Sequence, residues 1–322
     1  MPKINQYLSL SIDDLTSKSP LMLRCLKRAA QVARTDIPVF IKGDTGTGKT
    51  LMAQAVHNSS KRNEADFISF NASALSETLL ESHLFGHEKG AFTGAVSQVK
   101  GKFELADNGT LFLDEIADMS LSAQAKILRA IEYGEFTRLG SEKIFHSDVR
   151  VISATHKNLV SLSKDGSFRE DLYHRLNGLT LYVPSLRERR EDLPAMIASE
   201  VRSCAEDMGK EINSIHPDAF DKLMEYSWPG NLREMHRVIQ VAVLFAEADV
   251  INEQDVEIDQ SFINKKTIIQ LEEESNDDDL TLDAAVLRHV KRIYDMTGRN
   301  KSQTAKVLSV SRSTLDRKLE EL

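Results

Sequence analysis

The segment Ile37-Pro-Val-Phe-Ile-Lys42 runs straight into Gly43-Asp-Thr-Gly-Thr-Gly-Lys-Thr50, and no other stretch restricts the fold so tightly. An apolar strand, a glycine-rich loop and a helical pattern follow one another in the form GxxxxGK[ST]. Phosphate binding accounts for each residue type. Gly43, Gly46 and Gly48 let the loop curl until its N–H groups converge on an anion, and Asp44, Thr45 and Thr47 lie along the same loop. The helix opening near Gly48 aims its positive end at the same point. Lys49 is placed for the β- and γ-phosphates, and the Thr50 hydroxyl for Mg²⁺.

A second apolar run, Thr110-Leu-Phe-Leu, ends in Asp114-Glu115 about sixty residues further on. Ligands bind outside the carboxyl ends of parallel strands, so both carboxylates belong at the phosphate site. Asp114 suits the Mg²⁺ shell, and Glu115 suits a base that positions the attacking water. Further strand patterns cover Val39–Lys42, Phe67–Asn71, Arg150–Ala154 and Leu179–Val183, and a helix pattern covers Leu121–Glu132 behind Ser120 as its N-cap. The pattern predicts an α/β fold, a parallel sheet with helices on both faces. Strand signals stop beyond Pro194, where a helical lid is expected. The predicted organisation is a leader (1–18), an α/β part (19–185), a lid (186–252), an acidic linker (253–279) and a C-terminal helical module (280–322).

The overall charge of -8 gives no hint of a nucleic-acid partner, but it is unevenly spread. Glu253–Asp279 holds ten Asp/Glu against two Lys, whereas Thr281–Leu322 holds nine Lys/Arg against five Asp/Glu. The basic end suits anion binding and, equally, a solvated helical surface. The two cysteines, Cys25 and Cys204, lack CxxC spacing, which argues against a disulfide scaffold or a zinc site and suits a reducing cytoplasm. No apolar run is long enough to cross a bilayer, and no secretory signal is visible.

Between the two nucleotide motifs lies Gly90-Ala-Phe-Thr-Gly-Ala95. With it the chain, from about Ser19 to Leu322, resembles the bacterial enhancer-binding proteins, the AAA+ activators of sigma-54 RNA polymerase. The resemblance implies an AAA+ P-loop core that hydrolyses ATP with Mg²⁺. It also implies that Gly90, Ala91, Phe92, Thr93, Gly94 and Ala95 tip a loop touching the sigma factor, with Phe92 as the apolar anchor. Asn71 matches the residue that senses Glu115 and couples it to the loop. His156, after Ser153-Ala-Thr, matches the first sensor, where many members carry Asn; read alone, it suits a structural role as well. Arg169 and Arg175 match arginine fingers that reach a neighbour's γ-phosphate, and Arg233 matches the second sensor. Such fingers require a ring, so a hexamer is implied. Thr50 stands where the family usually has Glu, which restores the general P-loop form.

The C-terminal pattern Leu282, Val286, Val290, Ile293 reads as an amphipathic helix. Gly298 to Leu319 then reads as two helices with a turn near Ser309, resembling a Fis-type helix-turn-helix. Ser302, Arg312, Ser313, Thr314, Arg317 and Lys318 are its candidate contacts to double-stranded DNA, bound as a dimer, while Leu308, Val310, Leu315 and Leu319 read as core. With only about twenty residues before the motor, a receiver domain is not expected. The arrangement resembles receiver-less activators of the phage-shock type, for which control by a separate inhibitory protein or by expression level is expected. Two other readings remain: a regulator of this ancestry that no longer opens promoters, and a different AAA+ machine. The intact hexapeptide counts against the first, and the hexapeptide with the helix-turn-helix against the second.

Overall fold

Strands β1 (Val39–Lys42), β2 (Phe67–Asn71), β3 (Thr110–Asp114), β4 (Arg150–Thr155) and β5 (Leu179–Tyr182) form one parallel sheet in the order β2-β3-β4-β1-β5. The computed structural model describes residues 10–73, 75–258, 286–287, 289–291, 293–294, 300–308 and 310–320. The chain divides into two compact units, residues 1–258 and 259–322. Most of the acidic segment 253–279 therefore lies outside the described residues, as do Leu282 and Ser309.

The strands are mostly apolar in their middles because both sheet faces are covered there, and alternate side chains feed two cores. On one face Phe40, Leu111, Leu113 and Val151 pack with Leu80, Leu84 and Phe85 of α3 (Glu77–Phe85), Ile127 of α4 (Leu121–Tyr133) and Leu172 of α5 (Glu170–Leu176). On the other, Val39, Ile41, Phe112 and Ile152 pack with Leu26 and Ala29 of α1 (Pro20–Ala33) and Met52 and Val56 of α2 (Lys49–Asn58). Arg150 is fully buried, yet its guanidinium donates to the carbonyls of Val32 and Ala33 and closes the end of α1. Helix α4 starts where the sequence predicts, Ser120 accepting a hydrogen bond from Ala123 N–H, and ends at Gly134 in the left-handed region.

The polar leader is stitched down from Leu10 onward. Ile12 is buried and donates its N–H to Ser59, and Asn58 donates to the Leu10 carbonyl. Asp192 accepts from the Ser17 hydroxyl and from the N–H groups of Lys18 and Ser19.

Beyond the sheet come α6 (Leu193–Met208), α7 (Pro217–Glu225) and α8 (Asn231–Phe245). The prediction that strands stop there needs correcting, because Ser214–Ile215 pairs in parallel with Val250–Ile251. Two residues per strand are too few to leave a periodic signal.

In the second unit α9 (Lys301–Val307) and α10 (Arg312–Glu320) pack Ala305 and Leu315 with Val290, and Leu308 and Leu319 lie against them. Val310, predicted as core, is 39% exposed. It occupies the turn, where its N–H bonds back to the Ala305 carbonyl, just before Ser311 receives the Thr314 N–H.

Candidate functional site

The P-loop bends where left-handed backbone is needed, with φ of 79° at Gly46 and 98° at Gly48. A Cβ on Gly46 would lie 2.3 Å from the Gly230 carbonyl oxygen, so only glycine lets the lid turn close on the loop. A cavity of about 430 Å³ opens here, lined by Thr45, Gly46, Gly48, Lys49, Thr50, Asn71, Ser73, Asp114, Glu115, Asp118, His156 and Arg233. The structure thus gathers strand ends β2, β3 and β4, the P-loop and the lid around one space. Gly43, Asp44 and Thr47 support the loop instead: Thr47 is buried and its hydroxyl donates to the Asp44 carbonyl, while Asp44 pairs with Arg187 at 3.4 Å.

Lys49 Nζ donates to the Gly43 carbonyl at 3.1 Å and the Asp44 carbonyl at 3.3 Å, and lies 3.7 Å from Glu115 Oε1. Glu115 sits just past β3 at φ 50° and ψ 47°, a costly conformation for a residue with a side chain and one that gathers at functional sites. Its Oε2 accepts from the Thr155 hydroxyl at 3.1 Å and lies 2.9 Å from His156 Nδ1. The end of β4 therefore aims this carboxylate into the cavity. Burial first, then the adjacent Glu115 charge, raises the pKa of Asp114 above the ordinary carboxylate value, while Lys49 and Arg233 pull it down. Two crowded carboxylates of which one resists ionising are a demand for positive charge. With the Thr50 hydroxyl on the same wall, this oxygen donor set fits Mg²⁺.

Asn71, expected to sense Glu115, takes a different partner. The Asn71 side-chain oxygen accepts from Ser73 N–H at 2.8 Å, while Glu115 is held by Thr155 and His156. Asn71 thus lines the cavity and shapes the turn leaving β2, because a short amide side chain folds readily onto its own backbone two residues on. His156 lines the cavity and contacts the Glu115 carboxylate. Arg169 and Arg175 lie outside the cavity walls. Arg169 forms a two-point pair with Asp171, at 3.1 and 2.7 Å, and Arg175 donates to the Ile131 carbonyl. The buried Gln124 side chain fixes this region, accepting from Arg169 N–H and donating to the Met119 and Ser167 carbonyls.

Sequence reasoning passed over two residues that fasten the lid. Buried Asn231, at φ 52°, donates to the Thr45 carbonyl and accepts from Leu186 N–H. Buried Arg189 donates to the Thr47 carbonyl. The signal for Asn231 was its place after Pro-Gly, since asparagine tolerates left-handed backbone. Asn231→Ala is expected to cost about 2–4 kcal/mol, from two lost buried hydrogen bonds and the left-handed penalty. A thermal midpoint equal to that of the parent protein would refute the clasp.

The hexapeptide caps a hairpin whose strands, Gly86–His87 and Val99–Lys100, pair antiparallel directly after α3. Gly90 and Gly94 take φ of 84° and 108°, and no atom lies within 4 Å of a Cβ placed on either. Gly90 N–H donates to the Ala95 carbonyl, closing the tip. Phe92 stays half-buried, edge-on to the His87 ring at 5.0 Å, while Thr93 and Gly94 are exposed and Ala95 is buried. At the hairpin base Arg138 pairs with Glu88 and Glu104 and covers the Phe145 ring.

In the second unit Ser302, Arg312, Ser313 and Arg317 are exposed, and Lys318 is half-buried. The Thr314 hydroxyl shares a hydrogen bond with Ser311, so it shapes the start of α10. The Sigma-54 interaction domain family matches residues 15–182, the AAA+ ATPase lid domain residues 187–267, and the Fis family of bacterial regulatory proteins residues 297–322. The chain belongs to the sigma-54-dependent transcriptional regulators.

Among its relatives, the transcriptional regulatory protein ZraR of Escherichia coli K12 is 42% identical over 305 residues, covering 95% of this chain and 68% of that protein. The Nif-specific regulatory protein of Klebsiella pneumoniae is 46% identical over 241 residues, 75% of this chain and 46% of that one. In three dimensions the chain is similar to NtrX from Brucella abortus in complex with ATP, with a TM-score of 0.70 at 32% identity over 96% of this chain and 69% of that one. As a regulator of this family it carries a P-loop NTPase core, a lid and a DNA-binding helix-turn-helix. Among the described residues no helix is long and apolar enough to cross a membrane.

Proposed function

We propose that this regulator binds enhancer DNA through its C-terminal unit and, as a hexameric ring, uses ATP hydrolysis to convert sigma-54 RNA polymerase closed promoter complexes into open ones. The observation that carries this reading is the intact Gly90–Ala95 tip, presented on a hairpin that grows from α3. Helix α3 starts six residues after the end of β2, close to Asn71 and Ser73 in the cavity wall, and ends at the hairpin base. A shift at the phosphate end of the cavity can therefore travel to the tip along one rigid helix. ATP as the nucleotide is supported by the likeness to NtrX, which was solved with ATP.

Within the cavity, the P-loop N–H groups and Lys49 hold the phosphates, and Arg233 reaches them from the lid. Mg²⁺, when bound, would lie with the Thr50 hydroxyl and the Asp114 carboxylate and neutralise phosphate charge. Glu115, aimed by Thr155 and His156, orients the attacking water and takes its proton. Arg169 and Arg175, outside their own cavity, serve a neighbour's site. Arg312, Ser313, Arg317 and Lys318 with Ser302 face DNA, Thr314 holding the start of the recognition helix.

Phe92→Ala tests the reading. The variant is expected to keep ATP turnover and DNA binding within about twofold while losing open-complex formation by at least tenfold, since one apolar anchor commonly dominates a small contact. Normal promoter opening by that variant in vitro would remove the tip from the mechanism.

A further inference from the structure

Helices α6 and α8 of the lid bring together three side chains that line no wall of the nucleotide cavity. Glu200 and Cys204 lie one turn apart on α6, so both leave the same side of that helix, and His236 meets them from α8. His236 Nδ1 is 2.6 Å from Glu200 Oε1, Cys204 Sγ is 3.6 Å from the same oxygen, and the three ligand atoms lie within 4.8 Å of one another. We propose that Glu200, Cys204 and His236 form a Zn²⁺ site that ties α6 to α8.

A thiolate, an imidazole and a carboxylate are the donors that zinc takes, at about 2.3 Å for sulfur and 2.0–2.2 Å for nitrogen and oxygen. Tetrahedral geometry at those lengths spaces the donor atoms roughly 3.3–3.7 Å apart. The sulfur–oxygen separation already fits. The nitrogen–oxygen pair, now closed around a shared proton, opens by less than about 1 Å when the cation replaces that proton. The protons balance as follows: the Cys204 thiol releases one to water, and the imidazole carries its own on Nε2. Thiolate and carboxylate together cancel the charge of the ion, and water completes the fourth position.

Burial suits this use. Cys204 is 2% exposed at the bottom of the seam, while His236 and Glu200 open to solvent at its rim, so an ion enters from outside onto a sheltered sulfur. Hard cations such as Mg²⁺ and Ca²⁺ prefer all-oxygen shells, which separates this site from the nucleotide cavity. The spacing of the two cysteines argues against zinc in the sequence because the ligands here are spread over two helices and 36 residues. Helix α8 also carries Asn231 and Arg233 in its first turn, so an ion at His236 stiffens the helix that closes the nucleotide cavity.

The full chain, kept reduced, is titrated with Co²⁺ as a spectroscopic probe. The expected result is a thiolate-to-cobalt charge-transfer band that saturates at one equivalent and is bleached by Zn²⁺. Cys204→Ser loses the band. His236→Ala, at a position exposed enough to spare the fold, binds at least tenfold more weakly. Cys25→Ser keeps the band, because Cys25 is buried in α1 and its thiol is pushed up to about 11. Zn²⁺ in hundredfold excess over the parental dissociation constant raises the thermal midpoint of the parent by roughly 5 °C or more, and that of His236→Ala by no more than about half as much. No band in the parent protein overturns the proposal. So does a band that survives in His236→Ala at parental affinity, or one lost in Cys25→Ser.

Discussion

Glu115→Gln is expected to slow ATP turnover by about 10²–10⁴-fold while nucleotide affinity stays within a few-fold of the parent. The amide has the shape of the carboxylate and can still accept from the Thr155 hydroxyl, so the geometry of the cavity persists. What disappears is the ability to take a proton from water. Removing the charge relieves its crowding with Asp114, and Lys49 keeps its bonds to the Gly43 and Asp44 carbonyls. Steady-state turnover, read beside binding of a fluorescent nucleotide, separates the two effects. Turnover within tenfold of the parent would mean that another group activates the water.

The same carboxylate marks where sequence reasoning stops. Its place at the end of β3 followed from an apolar run ending in Asp-Glu, because a strand buried on both faces needs such a run. The sheet strands, the P-loop and the α4 cap were legible for the same reason: each rests on a local pattern or a local hydrogen bond. Contacts across elements were not. Thr155 and His156 reach Glu115 from forty residues away, and Asn231 reaches Thr45 from 186 residues away. Such pairs depend on the parallel pairing of β3 with β4 and on the closure of the lid, and neither leaves a periodic trace. Val310 went astray in the opposite sense: an apolar residue between two amphipathic helices reads as core, yet a turn residue whose backbone is tied to Ala305 can leave its side chain in solvent. Arg138 escaped notice because a lone arginine in a charged stretch reads as surface, whereas here it joins Glu88, Glu104 and the Phe145 ring.

Arg169→Ala and Arg175→Ala are each expected to slow turnover by about 10³-fold or more, with nucleotide affinity nearly unchanged, since these cations act on transition-state charge. Neither lines the cavity of its own chain, and the Asp171 pair and the Ile131 carbonyl hold them in place there. Loss of turnover alone would fit a structural role equally well, so the decisive measurement mixes two inactive proteins. Glu115→Gln brings intact arginines and a dead site; Arg175→Ala brings an intact site and no finger. In a ring closed by head-to-tail contacts, an equal mixture pairs an intact site with an intact finger at about one interface in four. Activity should therefore recover to about a quarter of the parental value per subunit, provided each site fires independently. A mixture no more active than the two proteins measured apart would place the arginines in service of their own chain, and the requirement for a ring would fall with them.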